Sequence, residues 1–167
     1  NELGSYLLQV DCLGGPCENR APPGLYGYVP VEPCRIVDTR YGLGGALSSA
    51  ETRSYFVYGD ISDQNQGAGG APGSYPTACP FAFGEPGGVH LSIAVIPQAA
   101  PGTPSGYLTA WPHGTTRPTT SVVNFKAGVQ IAANAVTLTT NESDAATPDI
   151  SVYPNQPVHL VIDVLGY

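Results

Sequence analysis

The sequence predicts an all-β domain, a β-sandwich or barrel-like fold of about eight to ten strands with an extended N-terminal arm. Three observations predict it. Apolar residues fall in short runs that alternate rather than repeat at helical spacing. Gly and Pro, at 21 and 17 residues, break those runs at short intervals. Charged residues are only 11% of the chain and hydrophobic residues 42%, a balance too apolar for wholesale disorder. A chain of 167 residues buries about 70% of its unfolded surface, enough for a real core.

The first ten residues, "NELGSYLLQV", carry Leu3, Tyr6, Leu7, Leu8 and Val10 and read as a strand. "DCLGGPCENRAPPG" follows as a turn-rich linker. Residues 1–25 therefore read as arm and linker, and 26–167 as the β-domain. "LYGYVPVEPCRIVDTR" is extended but interrupted by Pro30 and Pro33, with a short strand from Arg35 to Asp38. Prolines of this kind belong at edges or bends.

"TRSYFVYG", Thr52 to Gly59, is the next strand, and 60–88 is a long loop. Loops of that length are functional or pinned down. In "VHLSIAVI" Val89, Leu91, Ile93 and Val95 share one face, and His90, Ser92, Ala94 and Ile96 the other. "GYLTAW", "SVVNF", "IAANAVTLTT", "DISVY" and "VHLVIDVLGY" complete the strands.

Six basic residues face thirteen acidic ones, for a formal charge of −7. The basic residues are scattered, which argues against nucleic acid and anionic lipid as partners. The apolar runs are too short to span a bilayer. There is no Met, so Asn1 is not an initiator, and removal of a signal peptide is expected. A boundary chosen elsewhere would read the same.

Four cysteines, Cys12, Cys17, Cys34 and Cys79, fit an oxidising compartment. They allow three pairings. Cys12–Cys17, closing a small loop, and Cys34–Cys79, pinning the 60–88 loop, are expected over free thiols or metal ligands. No CxxC spacing is present.

"GYLTAWPHGTTRPTTSVVNF" holds the one Trp of the chain. Tyr107, Trp111 and His113 form a candidate ligand platform, since aromatic faces stack sugar rings. Packing within an ordinary hairpin is the stronger reading. His90, His113 and His159 have neither HxH nor HxxxH spacing, and no GxSxG elbow accompanies the serines. No spacing singles out a glycosidase carboxylate pair. Asp60, Ser62, Asp63 and Asn65 offer hard oxygen ligands for calcium but lack the EF-hand pattern. No metal, no cofactor and no catalytic residue is expected. Asp163, inside the last apolar strand, needs a partner. Arg40 is the expected one, as a buried ion pair with a structural role.

In order along the chain stand "YVPVEPCRIVDTR", a "QG"-bearing loop with a following Cys, "GYLTAWPHGTTRPTTSVVNF", "AANAVTL" and "VIDVLGY". From about Tyr28 to Tyr167 this resembles an all-β module of secreted and surface bacterial proteins. The resemblance implies an extracellular or cell-surface unit, often in tandem or beside hydrolases, adhesins or cell-wall domains, without catalytic residues of its own.

The expected function is a non-catalytic structural or surface module acting through protein–protein contacts. Its partners would be other copies of itself or surface proteins. In its filament form the apolar arm is donated as a strand to a neighbour. The alternative is a carbohydrate-binding module with polysaccharide as partner, favoured by ten Tyr and many hydroxyl side chains. The covalent expectation is checked by non-reducing peptide mapping: linked Cys12–Cys17 and Cys34–Cys79 peptides are expected, and four free thiols would remove the oxidising-compartment argument with them.

Overall fold

The computed structural model describes residues 27–42, 44–58, 66, 86–98, 100, 102–126, 131–140 and 147–167. Eight strands run through them: β1 (Pro30–Asp38), β2 (Arg53–Tyr55), β3 (Gly88–Pro97), β4 (Gly106–Pro112), β5 (Val123–Phe125), β6 (Ala132–Thr139), β7 (Ile150–Pro154) and β8 (Val158–Gly166). They form two antiparallel four-stranded sheets. The first has the order β1-β8-β3-β6 and the second β2-β7-β4-β5. The fold is an all-β sandwich. Among the described residues no helix is long and apolar enough to cross a membrane.

Period-two alternation builds the core. Val89, Leu91, Ile93 and Val95 of β3 are fully buried, and the residues between them are half-buried on the outer face. Leu160, Ile162 and Val164 of β8 join them from the adjacent strand. Leu108, Ala110, Ile150, Val152, Val123 and Phe125 face them from the second sheet. Interdigitation of two such inner faces is what holds a sandwich together. Gly106 has a steric reason: a Cβ there would collide with the Phe125 ring.

The strand expected over Arg35–Asp38 begins earlier, at Pro30. Its pairing with β8 shifts register between Pro30 and Cys34 and again between Arg35 and Val37. β1 lies at a sheet edge, so Pro30 and Pro33 are accommodated by irregularity. Cys34 is half-buried there and is not a free thiol. Cys12, Cys17, Cys79 and the arm residues Leu3, Tyr6, Leu7, Leu8 and Val10 lie outside the described residues. So do Asp60, Ser62, Asp63 and Asn65.

The β1 and β2 side of the sandwich is joined by Gln66, which is 8% exposed. Its side-chain oxygen accepts from Phe56 N at 2.7 Å, and its amide nitrogen donates to Phe56 O at 3.0 Å. The amide thus replaces a strand partner just past β2. The same nitrogen donates to Ile36 O at 3.1 Å in the other sheet, and Gln66 O accepts from Asp38 N at 2.9 Å. The bond to Ile36 O is buried and those to Phe56 are partly buried, so losing the amide leaves backbone groups short of a partner.

Gln66→Ala is therefore expected to destabilise by about 2–4 kcal/mol in urea unfolding, several times a surface substitution. Gln66→Glu should cost at least as much, because its carboxylate would face the Ile36 and Phe56 carbonyls. A loss below about 0.5 kcal/mol for both would show that the two sheets do not depend on this residue.

Candidate functional site

Two polar constellations stand out, one in the "CRIVDTR" segment and one on the outer face of the second sheet. The first centres on Asp38, whose side chain is fully buried at the end of β1. Arg40 donates to it from its main-chain N (3.2 Å), Nε (2.8 Å) and Nη2 (2.6 Å). Arg35 Nη1 lies 3.5 Å away.

The expected Arg40–Asp163 pair is therefore replaced by two others. Arg40 meets Asp38, and Asp163 meets Arg35 through bonds of 2.8 and 3.2 Å. The reason is register: Arg35 and Asp163 are direct cross-strand partners of β1 and β8. Arg40 lies past the end of β1, where Tyr41 and Gly42 N donate back to Asp38 O and the chain turns over its own carboxylate. Asp163 itself is one-quarter exposed, on the outer face, so the charge that is buried is Asp38.

Thr39 completes this corner. Its hydroxyl accepts from Leu160 N at 2.9 Å and lies 3.0 Å from His159 Nδ1. Burial pushes the Asp38 carboxyl up, but the Arg40 hydrogen bonds and the Arg40 and Arg35 charges outweigh it and hold it below its ordinary value. The arrangement ties the chain at the end of β1.

The outer face of the second sheet is built by alternation. Leu108 and Ala110 point into the core, so Tyr107, Thr109 and Trp111 share the opposite face of β4. Ser151 and Tyr153 of β7 and Ser54 of β2 fall on that face by cross-strand register. The three expected platform residues separate there. Trp111 is only 6% exposed, and its indole N–H donates to Thr115 O at 3.2 Å. It packs under the loop that it holds and offers no open ring. His113 Nδ1 lies 3.0 Å from both the Ser54 and Ser151 hydroxyls, which are 2.9 Å apart. That cluster fastens β2, β7 and the end of β4. Among the described residues no carboxylate contacts the His113 ring, as a Ser-His-acid triad would require.

Tyr107 remains open, at 37% exposure. Its ring is tilted 34° against Tyr153 with centroids 6.4 Å apart, and the Arg117 guanidinium lies 3.8 Å over the Tyr153 ring. Tyr107, Thr109, Arg117, Pro118 and Thr119 line a shallow cavity of about 220 Å³. Thr109, Arg117 and Tyr153 are the members that sequence reasoning missed. Parity along "GYLTAW" and "DISVY" places Tyr107, Thr109 and Tyr153 on one face, but the loop position of Arg117 has no periodic signal.

His90 and His159 do not meet: their Nδ1 atoms lie 3.0 Å from the Thr137 and Thr39 hydroxyls respectively. Among the described residues no three His, Cys, Asp or Glu side chains are grouped to hold a metal ion. No protein-family model, curated protein or solved structure matches this chain.

The Asp38 carboxyl is lowered in the folded state, so its contribution is present above the unfolded value near 3.9 and lost as pH falls through the lower folded value. Arg40→Ala is expected to cost about 1–3 kcal/mol at pH 7, since it removes charge-assisted bonds from a buried carboxylate that keeps Arg35 nearby. The gap between variant and wild type should narrow below about pH 4 in urea unfolding curves. A gap that does not change with pH would assign the effect to lost packing of the Arg40 stem.

Proposed function

We propose that this chain is a non-catalytic structural module of the extracellular space or cell surface, whose copies associate by adding the N-terminal arm of one to a sheet edge of the next. The observation that carries the reading is the contrast among the four edge strands. β2 and β5 are three residues long. β1 holds Pro30, Glu32, Pro33 and Arg35 and two register shifts. Shortness, charge, proline and irregularity are the usual guards against edge pairing.

β6 has none of them. It is eight residues, "AANAVTLT", with no charge and no proline, paired regularly with β3 from Ala132 to Thr139. No described residue makes a backbone ladder with its other side. Ala135 N turns instead to the adjacent Asn134 Oδ1 at 2.9 Å. An apolar strand laid there would gain main-chain hydrogen bonds and shelter the partly exposed Val136 and Leu138. The arm supplies such a strand in Tyr6, Leu8 and Val10 on one parity. With Cys12 and Cys17 linked as expected, the linker of 11–24 still reaches about 30 Å when the rest is extended. Oxidising-compartment cysteines and the resemblance to bacterial surface modules support the location.

Sedimentation of native-length protein tests this directly. Deleting residues 1–10 should leave a folded body that no longer self-associates. Ala133→Lys with Ala135→Lys, both exposed on β6, should block association with the arm intact. Full-length protein that stays monomeric at high concentration would remove the assembly reading. Association that survives both changes would place the contact elsewhere. The polysaccharide reading retains one observation, the open Tyr107 with its Arg117 neighbour.

A further inference from the structure

We propose that the shelf formed by Tyr107, Thr109, Arg117 and Thr119 binds the carboxylate-bearing ring of an acidic sugar, a hexuronate residue of a polysaccharide. The inference deepens the polysaccharide reading and does not depend on assembly.

The cation comes first. Arg35, Arg40 and Arg53 each hold a carboxylate, on Asp163, Asp38 and Glu51. Arg117 is the one described Arg that holds none; its contact is the face of Tyr153. Stacking fixes the guanidinium plane while leaving its N–H edge free to donate. A planar fork of donors matches a carboxylate in two parallel bonds. The lining contains no acidic residue that would compete for it. In a chain of charge −7, an Arg without a carboxylate partner beside an aromatic ring selects for an anionic group locally. Carboxylates more than about 8 Å away are screened at physiological salt.

The rest of the lining suits a hydroxylated ring rather than a bare acid. Tyr107 offers an open aromatic face to the C–H face of a sugar. Its backbone is fixed on both sides: Tyr107 N donates to Asn155 Oδ1 at 2.6 Å, and Asn155 N donates to Tyr107 O at 3.1 Å. Thr109 is 2% exposed, and its hydroxyl has no hydrogen-bond partner among the described residues although it lines the cavity. That hydroxyl can donate to or accept from a ring hydroxyl. Thr119 supplies a second hydroxyl at the rim. A cavity of about 220 Å³ is below the roughly 300–1,000 Å³ of drug-sized pockets, which fits one ring and not a chain segment.

The loop that delivers Arg117 is anchored. Trp111 Nε1 donates to Thr115 O, Thr115 N and Oγ1 donate to Pro112 O, and Val122 N donates to Leu108 O on the far side. Gly114 takes a left-handed φ of 80° to make the turn. Trp111 is thus a positioning residue for Arg117, and its buried indole is a reporter beneath the shelf.

The test titrates full-length protein with D-glucuronate and trigalacturonate, following Trp111 fluorescence and amide shifts by NMR. Neutral glucose and cellotriose, and a tri-glutamate peptide, are the comparison probes. Saturable uronate binding is expected, with shifts at Tyr107, Thr109 and Thr119. Affinity should fall about tenfold or more in Arg117→Gln and less in Arg117→Lys. Tyr107→Ala should weaken binding as well, and both exposed variants should keep the wild-type melting curve. Trp111→Phe should weaken binding without touching the ligand.

Neutral sugars binding as tightly as uronates would overturn the acidic specificity and leave the polysaccharide reading standing. Tri-glutamate binding as tightly would replace sugar with peptide carboxylate. Binding unchanged in Arg117→Gln would overturn the shelf as the acidic site and leave the polysaccharide reading standing, whereas no sugar bound at millimolar concentration would overturn both.

Discussion

The two sheets of this protein meet along two flanks, and the polar closure of those flanks constrains everything else. At the β1 and β2 flank, Gln66 satisfies backbone groups of both sheets from a buried position. One amide does what a ninth strand would otherwise do: it completes Phe56 and reaches Ile36. Burial raises the cost of losing it, most of all at the Ile36 carbonyl. At the β5 and β6 flank the closure is thinner. Asn134 Nδ2 donates to Val122 O at 2.9 Å from an exposed residue. β6 extends well past the three-residue β5, so its inner-face Val136 and Leu138 stay partly exposed. The asymmetry explains why one flank is sealed and the other offers an edge.

Scarcity of charge shapes the corner around Asp38. With charged residues at 11%, most of the described arginines are spent on structure. Arg53 shows the pattern away from Asp38: it binds Glu51 and donates to Gly44, Gly45 and Ala46 carbonyls, fixing the loop before β2. Such half-buried arginines act as multi-point ties rather than as isolated surface pairs, which contribute little. Arg117 differs because its partner is a ring. A cation without a carboxylate, in a chain that gives every other described Arg one, is a chemical irregularity, and irregularities of this sort concentrate at binding surfaces.

Legibility in the sequence followed the strength of local pattern. The inner face of β3 is readable in the sequence, because Val89, Leu91, Ile93 and Val95 alternate without interruption and the fold buries all of them. β1 was read too short, because Pro30 and Pro33 read as breaks when register shifts at an edge absorb them. Arg40 and Asp163 were read as partners on charge alone; strand register, which no single sequence displays, gave Asp163 to Arg35. The packing role of Trp111 follows from its place in a hairpin, but its indole bond to Thr115 O leaves no signal in the sequence. Gln66 was read only as part of a "QG" loop. Its role rests on contacts thirty residues away at Ile36, and nothing in the composition of "DISDQNQG" distinguishes a clasp from a solvated turn.

The edge and the shelf occupy different parts of the sandwich. β6 borders the first sheet, whereas Tyr107, Thr109 and Tyr153 lie on the outer face of the second. A strand added beside β6 extends the first sheet in its own plane and leaves the second sheet's outer face uncovered. Copies joined that way would each present a shelf, in a repeat fixed by the joining geometry. A single ring in a cavity of about 220 Å³ would be held weakly, as at other small polar sites. Repetition changes its consequence: when a polymer with many acidic rings meets many shelves, each contact after the first is intramolecular, and avidity exceeds the single-site affinity by orders of magnitude. On the two proposals together, cohesion would come from the first sheet and recognition from the second.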